Sequence, residues 1–157
     1  MRLVIADTGP VNYLILIGLI DLLPRMFEIV IVPTAVQTEL SNLLAPPLVR
    51  SWIADPPAWL KIVPAPTLTL STRLHNGEAA AIALAAALKA DLLLIDDRRG
   101  VRAAKQQGLR VTGTLGLIDL AAERGLIDFA QAIRKLELTS FRRPESVLNA
   151  LLAKHKA

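Results

Sequence analysis

Cysteine is absent from the 157 residues, and that absence removes three kinds of protein. A disulfide-stapled scaffold, a thiolate zinc site and a thiol nucleophile all need it, and a chain without it suits a reducing cytoplasm. Aromatic residues are scarce: two Trp, one Tyr and three Phe are too few for a platform on which bases stack. Of the two histidines, His75 falls in a connector and His155 in the C-terminal tail, so neither is read as a metal ligand or general base. Long apolar runs are also missing. The longest, Ala79–Leu88, is ten residues of mostly Ala, short of the roughly 20 that cross a bilayer. Four apolar residues precede Asp7, so no secretory segment is expected there.

What the chain has is core material. Hydrophobic residues make up 53% and mean hydropathy is +0.45, which excludes a disordered chain and points to one globular domain. The formal charge is +4. Residues 134–157 carry Arg134, Lys135, Arg142, Arg143, Lys154 and Lys156 against Glu137 and Glu145, so the whole excess lies there. That tail reads either as an anion-binding edge or as the solvated face of a last helix.

Short apolar runs alternate with helical patterns. Strands are predicted at Leu3–Ala6, Ile29–Val32, Leu60–Val63, Leu92–Ile95 and Arg110–Thr112. Helices are predicted from Thr8-Gly9-Pro10 to Gly18, over Leu19–Leu23 with a stop near Pro24, and after Pro33. Further helices are expected at Leu48–Ile53, Gly77–Lys89, Arg98–Gln107 and Leu115–Arg124, then after Asp128 and over Ser146–His155. Six of the ten prolines and both tryptophans lie in 46–66, which reads as an insertion or lid. Strands alternating with helices imply right-handed crossovers and a parallel sheet covered on both faces.

In such a sheet, sites form at the carboxyl ends of the strands. Asp7 closes the first predicted strand and Asp96-Asp97 close the one over Leu92–Ile95. All three carboxylates share a rim if those strands are neighbours. An acid after a strand also reads as a helix cap, but one cap needs one oxygen. Glu78 opens a very apolar helix, with Ile82 and Ala85 on its face; it is either a dipole partner or a buried charge that needs compensation. Glu39 shares a face with Ala35, Val36 and Leu40 and is either solvated or turned inward.

Converging carboxylates cannot all stay ionised without a cation. Oxygen donors without Cys favour Mg²⁺ or Mn²⁺ over Zn²⁺. Arg98, Arg99, Arg102 and Lys105 follow the acid pair, and Arg98, Arg102 and Lys105 recur at i, i+4 and i+7. That helix face suits a phosphate backbone, or plain solvent. Other chemistries lack their motifs: there is no P-loop and no G-x-S-x-G elbow, and Gly113-Thr114-Leu115-Gly116 has the wrong spacing for a dinucleotide fingerprint.

In order and spacing these segments resemble the PIN domain, the small α/β nuclease fold of VapC-type toxins. The likeness runs from Val4-Ile5-Ala6-Asp7-Thr8 to about Leu138. Val32-Pro33-Thr34-Ala35-Val36-Gln37-Thr38-Glu39-Leu40 resembles the second acidic motif, Gly77-Glu78-Ala79 the third and Leu94-Ile95-Asp96-Asp97-Arg98 the fourth. The resemblance implies a single three-layer α/β/α domain with a mostly parallel central sheet. Residues 1–140 would form it, with 46–66 inserted and 141–157 as a basic C-terminal helix or tail. It implies that Asp7, Glu39, Glu78 and Asp96 are catalytic metal ligands for Mg²⁺ or Mn²⁺, that Asp97 is a fifth candidate and that Thr8 steadies the site.

It further implies a cytoplasmic ribonuclease with an antitoxin partner, and the high apolar fraction of so small a chain points to hydrophobic surface covered by a second copy, as a homo-oligomer (dimer), or by an antitoxin. Many toxin-type members carry Thr-x-Asp after the fourth strand where this chain has Asp96-Asp97, and the third motif and the Gly113–Gly116 segment resemble a side branch of the toxin-like proteins. The residues alone leave RNA and DNA undivided. They also leave open a catalytically silent interaction module and a phosphohydrolase of small phosphate esters.

Overall fold

The structure is a computed structural model and describes residues 2–68, 70 and 73–156. β1 (Leu3–Ala6) leads into α1 (Thr8–Leu16) and α2 (Leu22–Met26). β2 (Ile29–Pro33) leads into α3 (Thr34–Leu40) and α4 (Pro47–Ala54), and β3 (Leu60–Val63) precedes α5 (Asn76–Leu88). β4 (Leu92–Leu94), α6 (Arg98–Gln106), β5 (Val111–Thr112) and α7 (Thr114–Glu123) complete the alternation. α8 (Phe129–Glu137) and α9 (Glu145–Lys154) close the chain.

Among the described residues the strands form one five-stranded sheet in the order β3-β2-β1-β4-β5, with every pairing parallel. The expected architecture is therefore present, and the sheet is wholly rather than mostly parallel. Its three inner strands, β2, β1 and β4, are buried on both faces, which is why they read as unbroken apolar runs. Val4, Ala6, Val30, Val32, Leu92 and Leu94 point to one face, against apolar side chains of α1 to α4 and α7. Ile5, Ile31, Leu93 and Ile95 point to the other, against Ala81, Ile82, Leu84 and Ala85 of α5 and Ala103 and Ala104 of α6. The two-residue period of a strand produces this split.

β1 lies at the centre of the sheet, with β4 beside it in register Val4↔Leu92, Ile5↔Leu93 and Ala6↔Leu94. The neighbour relation that the acidic rim required is thus met, and all carboxyl ends lie along one edge.

Two segments differ from the sequence expectation. Pro24 does not stop a helix but is the third residue of α2. The first-turn N–H groups have no intrahelical acceptor, so a proline there removes no hydrogen bond; Pro10 occupies the same position in α1. Within 46–66 the expected helix and strand are present as α4 and β3, but β3 pairs with β2 over Val30–Pro33, so the segment supplies the sheet edge instead of an insertion or lid. The C-terminal stretch packs through Leu148, Leu151 and Leu152 on a satellite core with Ile118, Phe129, Ile133, Leu136 and Phe141. No described helix is long and apolar enough to cross a membrane.

Candidate active site

Asp7 follows β1 at the point where the ladder to β4 ends, its N–H donating to the Leu94 carbonyl at 2.9 Å. It stands at the N-cap position of α1, yet its side chain makes no capping hydrogen bond. Capping therefore does not explain it. Asp7 is 5% exposed, and its Oδ1 has no hydrogen-bond partner among the described residues. Burial, opposed by the Thr8 N–H and reinforced by the charges of Glu78, Glu39 and Asp96, pushes its pKa up to about 7.

Two of the other acids are tied down by neighbouring helices. Glu39, on α3, accepts from Thr8 Oγ1 at 2.6 Å and from the Gly77 N–H at 2.7 Å. Asp96 accepts from the Thr114 N–H and Thr114 Oγ1, both at 2.7 Å. Each carboxylate thus meets the first turn of a helix, α5 or α7, where free N–H groups and the helix dipole favour an anion. The fit depends on glycine. A Cβ on Gly77 would stand 2.5 Å from both Glu39 oxygens, and one on Gly113 would stand 2.5 Å from Asp96 Oδ1.

Glu78 sits in the first turn of α5 and is buried. Its Oε1 accepts a long 3.4 Å bond from the His75 N–H, while Oε2 has no partner among the described residues. Burial first, then the charge of Asp97, raises its pKa above the ordinary value. Asp97 is exposed and caps α6, its Oδ1 accepting from the Arg99 N–H at 2.8 Å. The adjacent acids therefore divide their tasks: Asp96 turns into the rim and Asp97 starts a helix while still bordering the cavity.

A cavity of about 400 Å³ brings Asp7, Glu39, Glu78, Asp96 and Asp97 together. Among the described residues no three acidic or histidine side chains already surround a single point, and Glu39 and Asp96 are engaged by Gly77 and Thr114. What remains is a pair of buried, unpartnered carboxylate oxygens, on Asp7 and Glu78, with three more carboxylates around them. Such groups are costly to bury without compensation. Hard oxygen donors of this kind fit a divalent cation, and Asp7 and Glu78 are the residues with oxygens free to hold it.

The basic residues fall in two groups. Arg98, Arg102 and Lys105 are exposed on α6 and do not border this cavity, whereas Arg99 lines an adjoining one of about 410 Å³ with Arg73, His75, Glu78 and Asp97. The cavity's own cations are Arg142 and Arg143, beside Tyr13 and Phe141. The sequence showed them only as part of a basic tail. His75 also borders both cavities, at the N-cap of α5; its one signal was its place three residues before Glu78, the spacing of a capping box. Thr114, fully buried under Asp96, lies in the Gly113–Gly116 segment that the sequence singled out for its likeness to a side branch, with no role attached to the hydroxyl.

The parallel α/β domain thus gathers carboxylates from separate strand and helix ends around one cavity at the carboxyl edge of its sheet, where sites of this fold class form. Residues 3–157 match the family model described as the PIN domain, and the chain belongs to that family. PIN domains are generally nucleases and typically use divalent metal ions. Among curated proteins and among solved structures nothing matches the chain significantly.

Proposed function

We propose that this protein is a Mg²⁺- or Mn²⁺-dependent endoribonuclease, the toxin-like component of a toxin–antitoxin pair acting in the cytoplasm. The observation that carries the reading is the pair of buried carboxylate oxygens without partners, Asp7 Oδ1 and Glu78 Oε2, in the same acid-lined cavity. A bound divalent ion supplies a water of lowered pKa and offsets charge on the phosphate oxygens. Asp7 and Glu78 would hold it, with Glu39 and Asp96 as further ligands once released from their helix ends and Asp97 at the margin. Thr8 fixes the Glu39 carboxylate through the 2.6 Å bond.

Among the described residues no serine–histidine hydrogen bond is present and the chain has no Cys, so in this reading the attacking group is water. Arg98, Arg99, Arg102 and Lys105 would hold the strand by its phosphates, Arg99 nearest the acids. With few aromatics for stacking, recognition rests on phosphate and shape, and RNA is preferred from the likeness to toxins. The exposed Leu43, Leu44 and Leu48 support an apolar contact with a second copy or an antitoxin.

The test is cleavage of labelled single-stranded RNA and DNA by the purified protein with Mn²⁺ or Mg²⁺. Asp7→Asn, Glu39→Gln, Glu78→Gln and Asp96→Asn are each expected to remove most turnover. Identical trace activity in the wild type and all four variants would reduce it to contamination. Binding without turnover would favour the silent module, and hydrolysis of a small phosphate ester alone would favour a phosphohydrolase.

A further inference from the structure

Arg143 reaches into the acidic cavity from the segment between α8 and α9. Its Nη2 donates to the Asp96 carbonyl and to Asp96 Oδ1, both at 3.3 Å. These are long for a charged pair, whose N–H···O⁻ distances usually fall near 2.7–2.9 Å. Asp96 has little need of this partner, since Thr114 already satisfies both its oxygens at 2.7 Å. The guanidinium is therefore a loose third contact on a carboxylate that is held without it.

The segment that carries Arg143 is firmly placed. Tyr13 of α1 packs edge-on to the buried Phe141, with ring centroids 5.1 Å apart at 83°, and its hydroxyl meets Ser140 Oγ at 3.0 Å. The Arg143 guanidinium carbon lies 4.9 Å from the centre of the Phe141 ring, a cation–π contact that orients its plane. Nη1 donates to the Arg142 carbonyl at 2.9 Å. The side chain is about one third exposed, so it opens to solvent at the mouth of the cavity. A planar fork of donors, aimed at the acids and weakly engaged, is what a phosphate group requires.

We propose that Arg143 is the phosphate-holding residue of this centre. Its loose contact with Asp96 gives way when a divalent cation takes that carboxylate as a ligand, and the guanidinium turns to a phosphodiester of the bound strand. The assignment rests on the nuclease reading for its substrate, but the exchange at Asp96 does not. Two opposite effects are expected of one substitution. Arg143→Ala removes a cation competing for Asp96, so Mn²⁺ should bind more tightly. It also removes a phosphate contact, so a nucleic-acid strand should bind more weakly.

The first effect is read by calorimetric titration of Mn²⁺ into wild type and Arg143→Ala without nucleic acid. The second is read by anisotropy of a short fluorescein-labelled single-stranded RNA. It uses Asp7→Asn as the common parent, without metal, across a range of salt.

Arg143→Ala is expected to weaken RNA binding about tenfold, as loss of one charge-assisted hydrogen-bonding group does. The slope of log K against log salt should fall by roughly 0.7. Arg143→Lys, which keeps the charge and loses the fork, should lie between. Lys156→Ala, which removes a like charge bordering a separate cavity, should change RNA binding by less than about twofold.

Unchanged or weaker Mn²⁺ binding in Arg143→Ala overturns the exchange at Asp96. RNA binding as tight as the parent's overturns the phosphate role, as does a parent that binds no RNA. The nuclease reading fails separately. Arg143-dependent RNA binding and Mn²⁺ exchange in a protein that cleaves nothing would sink that reading and leave this one. Cleavage by Arg143→Ala with unchanged KM would do the reverse.

Discussion

Asp7→Asn should make the metal-free protein more stable at pH 8 and flatten the pH dependence of its stability between about pH 4 and 7, leaving the part that the raised pKa of Glu78 contributes. The pKa of Asp7 rises from 3.8 to about 7 in the folded protein, so folding strengthens its hold on a proton more than a thousandfold, equivalent to roughly 4 kcal/mol. The sign follows from linkage. Between these two values the folded state binds more protons than the unfolded one, so stability falls as pH rises through that window. Below pH 4 the stabilisation is fully present; above pH 7 it is gone.

Asparagine carries no charge at any pH and avoids the penalty, with roughly 4 kcal/mol as an upper bound because part of the strain relaxes. For a domain of this size each kcal/mol moves Tm by about 2–4 °C. The assay is urea unfolding of both proteins in EDTA at several pH values. Mn²⁺ should then stabilise the wild type at pH 8 far more than Asp7→Asn, because a ligand of the native state adds to its stability. Equal pH slopes in the two proteins, or Asp7→Asn destabilised as a lost helix cap would be, would refute the argument.

Gly77→Ala should expel Glu39 from the α5 terminus, since the new methyl meets both carboxylate oxygens at 2.5 Å; activity should fall with Asp7 untouched, as single-turnover cleavage will read. Thr114→Val leaves Asp96 Oδ2 without its 2.7 Å donor and should lower stability by about 1–3 kcal/mol in urea unfolding. Asp97→Asn should retain most turnover, because the oxygen that accepts from Arg99 N–H persists in asparagine; complete loss would make both adjacent acids essential. Arg98→Ala, Arg102→Ala and Lys105→Ala together should weaken RNA binding and flatten its salt dependence, with kcat largely kept at saturating substrate.

The fold was legible because a parallel sheet prints itself as short apolar runs closed by acids. Leu3–Ala6 with Asp7, and Leu92–Leu94 with Asp96, give the two central strands and the rim together. Pairing was harder than the elements themselves. β3 is legible at Leu60–Val63, but its setting among prolines suggested an insertion where pairing with β2 makes it an edge strand of the sheet. The tilt of Asp96 toward Thr114, 18 residues on, and the approach of Arg143, 47 residues on, depend on packing between distant elements. Local pattern carries no trace of such contacts. The unpartnered state of Asp7 was equally hidden, because a capping aspartate and a buried one look alike after a strand.

The anchoring of Glu39 and Asp96 on the first turns of α5 and α7 has a consequence for the order in which the molecule is made. Synthesis delivers the chain from its N-terminus, and domains fold as units. Asp7 emerges first, yet the partner that fixes Glu39 is Gly77 and the one that fixes Asp96 is Thr114. A growing chain that has exposed the first, second and third acids still lacks the fourth and the helix that aims it. A chain cut short before α7 carries every carboxylate and has no means of setting Asp96 on the rim. The full set of anchored carboxylates is therefore completed only when α7 is in place, long after the first of them has left the site of synthesis.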